Sequence, residues 1–247
     1  MTPLVSYFSL FGSGEMPRRA DPSALGTLPT RAFRYCEAVR LASGAGQYLF
    51  PPAEVRLVWD GTRIAVSVGE DEDFAFVTDA VPFPGFPDSW LAVAPESCRH
   101  APPAFITALP EPGLVQLSLG VIATAAAGWS LWIGPPANFP RPYPIEVMTG
   151  VVDPAIYRGL LFINFRVTKT DEPVVIYADR PIVQVVPVRT ADIGEGVARD
   201  FVALSAFDAA AWEGYLAKVV GPSGDDGRAF GGYAREARKA VATTGSG

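Results

Sequence analysis

Residues 150–188 (GVVDPAIYRGLLFINFRVTKTDEPVVIYADRPIVQVVPV) set an Asp, a Tyr, an Arg and a Gln at fixed points along largely apolar runs. Asp153 follows an apolar run and precedes Pro154. A carboxylate there can activate water as a general base, or can close a turn on its own backbone, the common use of Asp before Pro. Tyr157 can stack on a base or ring, or cover the mouth of a barrel. Arg158 can hold a phosphate or carboxylate, or pair with Glu146 or Asp153. Gln184 interrupts an apolar strand. An unpartnered buried amide costs about 1–3 kcal/mol, so neighbouring backbone or a ligand must satisfy it. Upstream, Asn138 and Arg141 share a Pro-rich loop with Tyr143, where they line a pocket or hold an irregular loop together.

Other chemistry is narrowed by count. His100 is the single histidine, which excludes a His-rich metal site and leaves any Ser-His-Asp triad resting on one residue in a Pro-flanked loop. Cys36 and Cys98 are the only cysteines; a disulfide and two buried free thiols are both open, and the thiols are expected. No Walker loop, dinucleotide fingerprint, zinc spacing or calcium loop is present. The glycine-rich segment 221–232 can cradle an anion on freed N–H groups or serve as a flexible linker. The adjacent Asp225 and Asp226 favour the linker.

The elements that position these residues read mostly as β. Short runs of Val, Ile and Phe bounded by Gly, Pro and Asp signal strands. Such runs occupy residues 150–152, 160–168, 174–176 and 182–188, and near-continuous apolarity suggests burial on both faces. Residues 55–59 and 63–68 flank Asp60-Gly61, a strong hairpin signal. Residues 33–41, 74–77, 114–123 and 129–133 are further candidate strands. Trp129 and Trp132 should face opposite ways, one into the core and one outward. Residues 82–87 and the proline-dense 135–144 read as loops. Residues 208–220 form the one clear helix, with Ser205 and Asp208 as a capping pair and Trp212, Tyr215, Leu216 and Val219 as its apolar stripe. A second helical piece is expected over residues 233–241.

The spacing of Gly150, Val151, Val152, Asp153, Tyr157, Arg158, Gly159 and Gln184 resembles the third and fourth motifs of the dUTPase and dCTP deaminase superfamily. The resemblance covers roughly 40 residues. It implies a jelly-roll or distorted β-barrel, with Asp153 as the catalytic candidate and Tyr157, Arg158 and Gln184 as ligand-binding candidates, beside Asn138 and Arg141 from the Pro-rich loop. The turn after Asp153 is one residue longer than in the family. Where the family carries its Pro-Arg-Ser-Gly phosphate motif, this chain has Gly134-Pro135-Pro136-Ala137-Asn138. Segment 221–232 is also similar to the family's mobile C-terminal arm. A second resemblance rests on Tyr35-Cys36, Gly46-Gln47, Trp59-Asp60-Gly61, residues 128–132 and residues 134–138. It is to an uncharacterised bacterial family, spans about residues 30–190 and implies no activity.

Composition bounds the partners. The 247 residues carry a net charge of -6, with 20 Lys and Arg against 26 Asp and Glu. That balance argues against a nucleic-acid backbone binder. Hydrophobic residues make up 49% and charged ones 19%, so a large core is available and some apolar surface is expected to be covered by a homo-oligomer or larger assembly. No secretory signal is read at residues 1–11, and the apolar stretch 113–133 is broken by polar residues and glycines rather than being a membrane span; a cytoplasmic protein is the expectation.

The expected organisation is an irregular arm (residues 1–30), a mainly β domain (31–190) and a helical C-terminal extension (191–247). Three functions stay open. One is a non-catalytic binding or assembly subunit with no cofactor. A second is a nucleotide hydrolase or deaminase-like enzyme using Mg²⁺ held through a triphosphate. The third is a small-molecule tailoring enzyme with a pocket of Trp, Tyr and Arg.

Overall fold

A computed structural model describes residues 3–12, 14–71, 73–140, 143–157, 159–193, 202–217, 234 and 237–239. Strands β1 (Val5–Ser9) and β2 (Arg18–Arg19) precede two short helices, α1 (Thr30–Tyr35) and α2 (Glu37–Ser43). Then β3 (Gln47–Leu49), β4 (Val55–Trp59), β5 (Ile64–Val68), β6 (Ala75–Phe76) and β7 (Ala80–Val81) lead to α3 (Phe86–Val93). The β region is completed by β8 (Ile106–Ala108), β9 (Leu114–Ala125), β10 (Trp129–Gly134), β11 (Ile145–Val147), β12 (Gly150–Val152), β13 (Leu160–Val167), β14 (Val174–Ile176) and β15 (Val183–Arg189). Helix α4 (Ala209–Tyr215) follows. No described helix is long and apolar enough to cross a membrane.

The chain is mainly β. Its strands form three antiparallel sheets, ordered β11-β13-β9-β8-β7 with β1 also on β9, β12-β10-β15-β3-β2, and β14-β4-β5-β6. They do not close into one hydrogen-bonded barrel: each sheet keeps two edges. One apolar core lies between all three, drawing Phe165 and Ile163 from the first, Leu131 and Val183 from the second, and Leu57 and Ile176 from the third. Successive strands β13, β14 and β15 enter three different sheets. The segment 150–189 therefore ties the whole β region together.

The hairpin at Asp60-Gly61 forms as expected, with Leu57 opposite Val66 and Asp60 accepting from the N–H of Thr62 and Arg63. In β13 burial alternates. Leu161, Ile163, Phe165 and Val167 are buried while Arg166 is exposed, so one face meets the core, not both as the apolar run suggested. Gly120 lets the long β9 change partners along one edge, from β8 at residues 115–117 to β1 at residues 121–125. Its φ is +69°, and a Cβ there would press on Phe11 at 2.9 Å.

Several expectations are corrected. Residues 33–41 are helical, in α1 and α2, not a strand. Local alternation gives way there to the docking of α2 on β15 described below. Residues 86–93 form α3, with Pro87 in its first turn, where a missing N–H costs nothing. The stretch 1–30 supplies β1 and β2, and Tyr7 Oη donates to Gln47 Oε1 at 2.6 Å, fastening β1 to β3. Both cysteines are free, but Cys36 is half-buried and Cys98 exposed. Trp129 and Trp132 are both half-buried. Asp208 alone caps α4, accepting from Ala211 N–H at 2.8 Å. The stripe residues Trp212, Tyr215 and Leu216 are exposed, and Val219, segment 221–232 and most of 233–241 lie outside the described residues.

Candidate functional site

The residues singled out by type separate into two places. The first is the C-terminal end of α2. A helix leaves its last carbonyls without intrahelical partners, and here side chains from distant strands and loops meet them. Gln184, 1% exposed, donates from Nε2 to the carbonyls of Ala42 (2.9 Å) and Ala45 (2.5 Å). Its Oε1 accepts from Ala137 N–H at 2.8 Å. Asn138 donates from Nδ2 to Ser43 Oγ (3.1 Å) and to the Val39 carbonyl (3.3 Å). Asn138 sits at φ +59°, the left-handed region that Asn tolerates better than most residues. Tyr48, opposite Gln184 in the β15–β3 register, donates to the Ser43 carbonyl at 3.3 Å. Close approach at the following turn is set by Gly46. Its φ is +65°, and a Cβ there would run into the Val185 carbonyl oxygen. Gln184 and Asn138 thus share one clasp, whose partners are all backbone and side chains of the chain itself.

The second place is the outer end of β12. Asp153 follows that strand and accepts from Ala155 N–H at 2.8 Å, while its carbonyl accepts from Ile156 and Tyr157 N–H. This is a closed Asx turn. Tyr157 donates from Oη to the Leu160 carbonyl at 3.1 Å and packs edge-on against Phe162; partial burial pushes its phenol pKa upward. Asp153 and Tyr157 line one open cavity of about 380 Å³ with Ile133, Val152, Leu160 and Phe162. Asp153 is the one charged residue in its described lining.

The structure therefore brings Asp153 together with Tyr157, and Gln184 with Asn138, but the two pairs line no common cavity. Arg141 and Arg158 lie outside the described residues. Among the described residues no three His, Cys, Asp or Glu side chains converge as metal ligands. The described lining of the Asp153 cavity does not by itself fit a Mg²⁺–triphosphate: it is apolar but for one carboxylate already bonded to an N–H and one phenol bonded to a carbonyl.

A third polar group was not singled out by the sequence: Glu37, Arg34, Arg40 and Arg238. Glu37 is 1% exposed, and its carboxylate pairs with Arg40 and with Arg238 Nε at 3.0 Å. The Arg40 guanidinium holds its pKa below the usual carboxylate range, with Arg238 adding to the effect against the cost of burial. The sequence signal was the Glu37–Arg40 spacing of three on one helix face.

No family model matches this sequence, including for the resemblance over residues 30–190, and no curated protein matches it. Among solved structures it is similar to a point mutant of the dUTPase of Staphylococcus bacteriophage 80alpha, with 12% identity, coverage of 83% of this chain and 95% of that chain, and a TM-score of 0.41. A second mutant of the phage 80alpha dUTPase overlaps with 13% identity, 82% and 100% coverage and a TM-score of 0.40. A mutant dUTPase from phage phi11 of S. aureus, described with a structural Mg(II) ion, gives 13% identity, 81% and 99% coverage and a TM-score of 0.39. Likenesses this loose assign no residue and no activity to this chain.

Proposed function

We propose that this chain is a non-catalytic binding or assembly subunit on a dUTPase-like β scaffold, and that its partner at the β12 edge is a second copy of itself. One observation carries the reading. Asp153, Gln184 and Asn138 direct their hydrogen bonds to their own chain, whereas the apolar side chains around β12 face solvent. Ile156 is 84% exposed, and Met148 and Val151 are nearly half exposed. Among the described residues strand β12 pairs only with β10, so its other side offers unpaired N–H and C=O groups. Two such edges placed antiparallel are self-complementary, as a two-fold interface requires. Residues 31–190, with β1 and β2 joined to their sheets, form the assembling β unit in this reading, and residues 191–247 are an appendage to it.

Light scattering on the purified chain, beside a turnover assay with deoxynucleoside triphosphates and Mg²⁺, tests the proposal. The expected result is a defined oligomer that Ile156→Asp converts to monomer, with no turnover. A monomeric wild type, or turnover that Asp153→Asn abolishes, would overturn it.

A further inference from the structure

The arginine group at the start of α2 lies apart from the β12 edge and does not depend on the assembly reading. Glu37 Oε1 and Oε2 accept from Arg40 Nε at 3.1 and 3.0 Å and from its Nη2, and Oε2 also accepts from Arg238 Nε. Arg238 Nη2 donates to the Arg34 carbonyl at 3.0 Å. One carboxylate thus fixes two guanidiniums and leaves the Nη1 of each outside these bonds. The Arg34 guanidinium makes no hydrogen bond or ion pair among the described residues. All three arginines and Phe33 line an open cavity of about 490 Å³. Arg34 also lines a neighbouring one of about 410 Å³ with Thr30, Arg31 and Tyr35.

We propose that Arg34, Arg40 and Arg238 form a binding site for a phosphate-class anion. Among the described residues the three guanidiniums and the Glu37 carboxylate leave a local charge of +2, in a chain whose net charge is -6. The clasp needs only Arg40 and Arg238 to neutralise Glu37. A third cation on the same cavity adds repulsion unless an anion lies between them. A carboxylate ligand presents two oxygens, which a single guanidinium fork satisfies. A phosphate presents more acceptor oxygens and up to two charges, matching several forks at once. Glu37 orients the two paired forks before any ligand arrives, which lowers the ordering cost of binding.

Calorimetric titration of pyrophosphate into the full chain in low-salt, phosphate-free buffer tests this, with sulfate and a nucleoside triphosphate titrated in parallel. Wild type is expected to bind pyrophosphate saturably at one site. Arg34→Ala should weaken Kd about tenfold, the loss of one charge-assisted contact, and Arg34→Lys should fall between. Both variants should keep the ligand-free melting midpoint, because among the described residues the Arg34 guanidinium has no hydrogen-bond or ion-pair partner. A nucleoside triphosphate binding more tightly than pyrophosphate would support the site and assign its phosphate to a nucleotide; equal affinity would support it as a site for the phosphate group alone. Three results would overturn the proposal: no saturable binding, a Kd that Arg34→Ala leaves unchanged, or equal binding of sulfate that follows ionic strength alone.

Discussion

The C-terminal end of α2 is bonded by β15, the middle strand of a five-stranded sheet whose outermost strand is β12, and the two places treat polar groups in opposite ways. At α2, Gln184, Asn138 and Tyr48 come from the sheet and a distant loop to meet helix carbonyls. At β12, Asp153 and Tyr157 bond only within their own turn, and the apolar side chains point outward. An amide inside an apolar strand is thus fully explained when a helix end lies over it. An apolar edge over a turn has no such internal account. Changes at the clasp should therefore act on stability, and changes at the edge on association.

The largest test of that contrast is Gln184→Leu. It removes one acceptor and three donor contacts; the Ala42 carbonyl keeps the Ala45 N–H, while Ala137 N–H and the Ala45 carbonyl lose the amide. A fully buried group left unpaired costs about 1–3 kcal/mol, and these two groups are only part-buried. Chemical denaturation should show a loss of about 1–3 kcal/mol, with no effect on association at the β12 edge. A loss below about 1 kcal/mol would mean that water replaces the amide, and would break the contrast.

The next test sharpens it within α2, whose C-terminal end is held by neutral groups and whose start is held by charge. Arg40, and after it Arg238, keep the Glu37 carboxyl below its usual range. Near that range the folded state binds fewer protons than the unfolded chain. The ion pair's contribution is therefore complete above the ordinary Glu value of about 4.3, and it is lost as pH falls from there through the lowered folded value. Glu37→Gln should melt below wild type at neutral pH, with the gap closing at acid pH. A gap independent of pH would assign the effect to packing.

How much of this was legible in the sequence follows from the range of each interaction. The hairpin at Asp60-Gly61 and the strands β9, β10 and β12 to β15 depend on local alternation and turn chemistry, and were readable. The need to satisfy Gln184 was also readable, but not its partners, since Ala42 lies 142 residues away. Residues 33–41 show why the rest was hidden. Their short apolar alternation imitates a strand, while the clasp that holds the end of α2 is built by residues far along the chain. Helix α3 had a local sign, Pro87 at a helix start, that the Pro-rich composition masked. The arginine group joins α1 and α2 to a residue more than 200 positions on, so no reading of neighbours would assemble it.

The smallest effect expected is at Asn138, where two contributions can be separated. Asn138→Ala removes the bonds to Ser43 Oγ and the Val39 carbonyl and also puts an Ala at φ +59°. Asn138→Gly removes the same bonds and relieves the backbone. Ser43 Oγ still donates to the Val39 carbonyl at 3.0 Å, so that carbonyl keeps a partner in both variants. Loss of stability in denaturant should therefore be about 1 kcal/mol for Ala and smaller for Gly. If Gly costs as much as Ala, the amide alone matters and the turn's left-handed backbone is no constraint. If neither costs anything, Gln184 holds the end of α2 by itself, and the clasp reduces to a single amide spanning a helix, a strand and a loop.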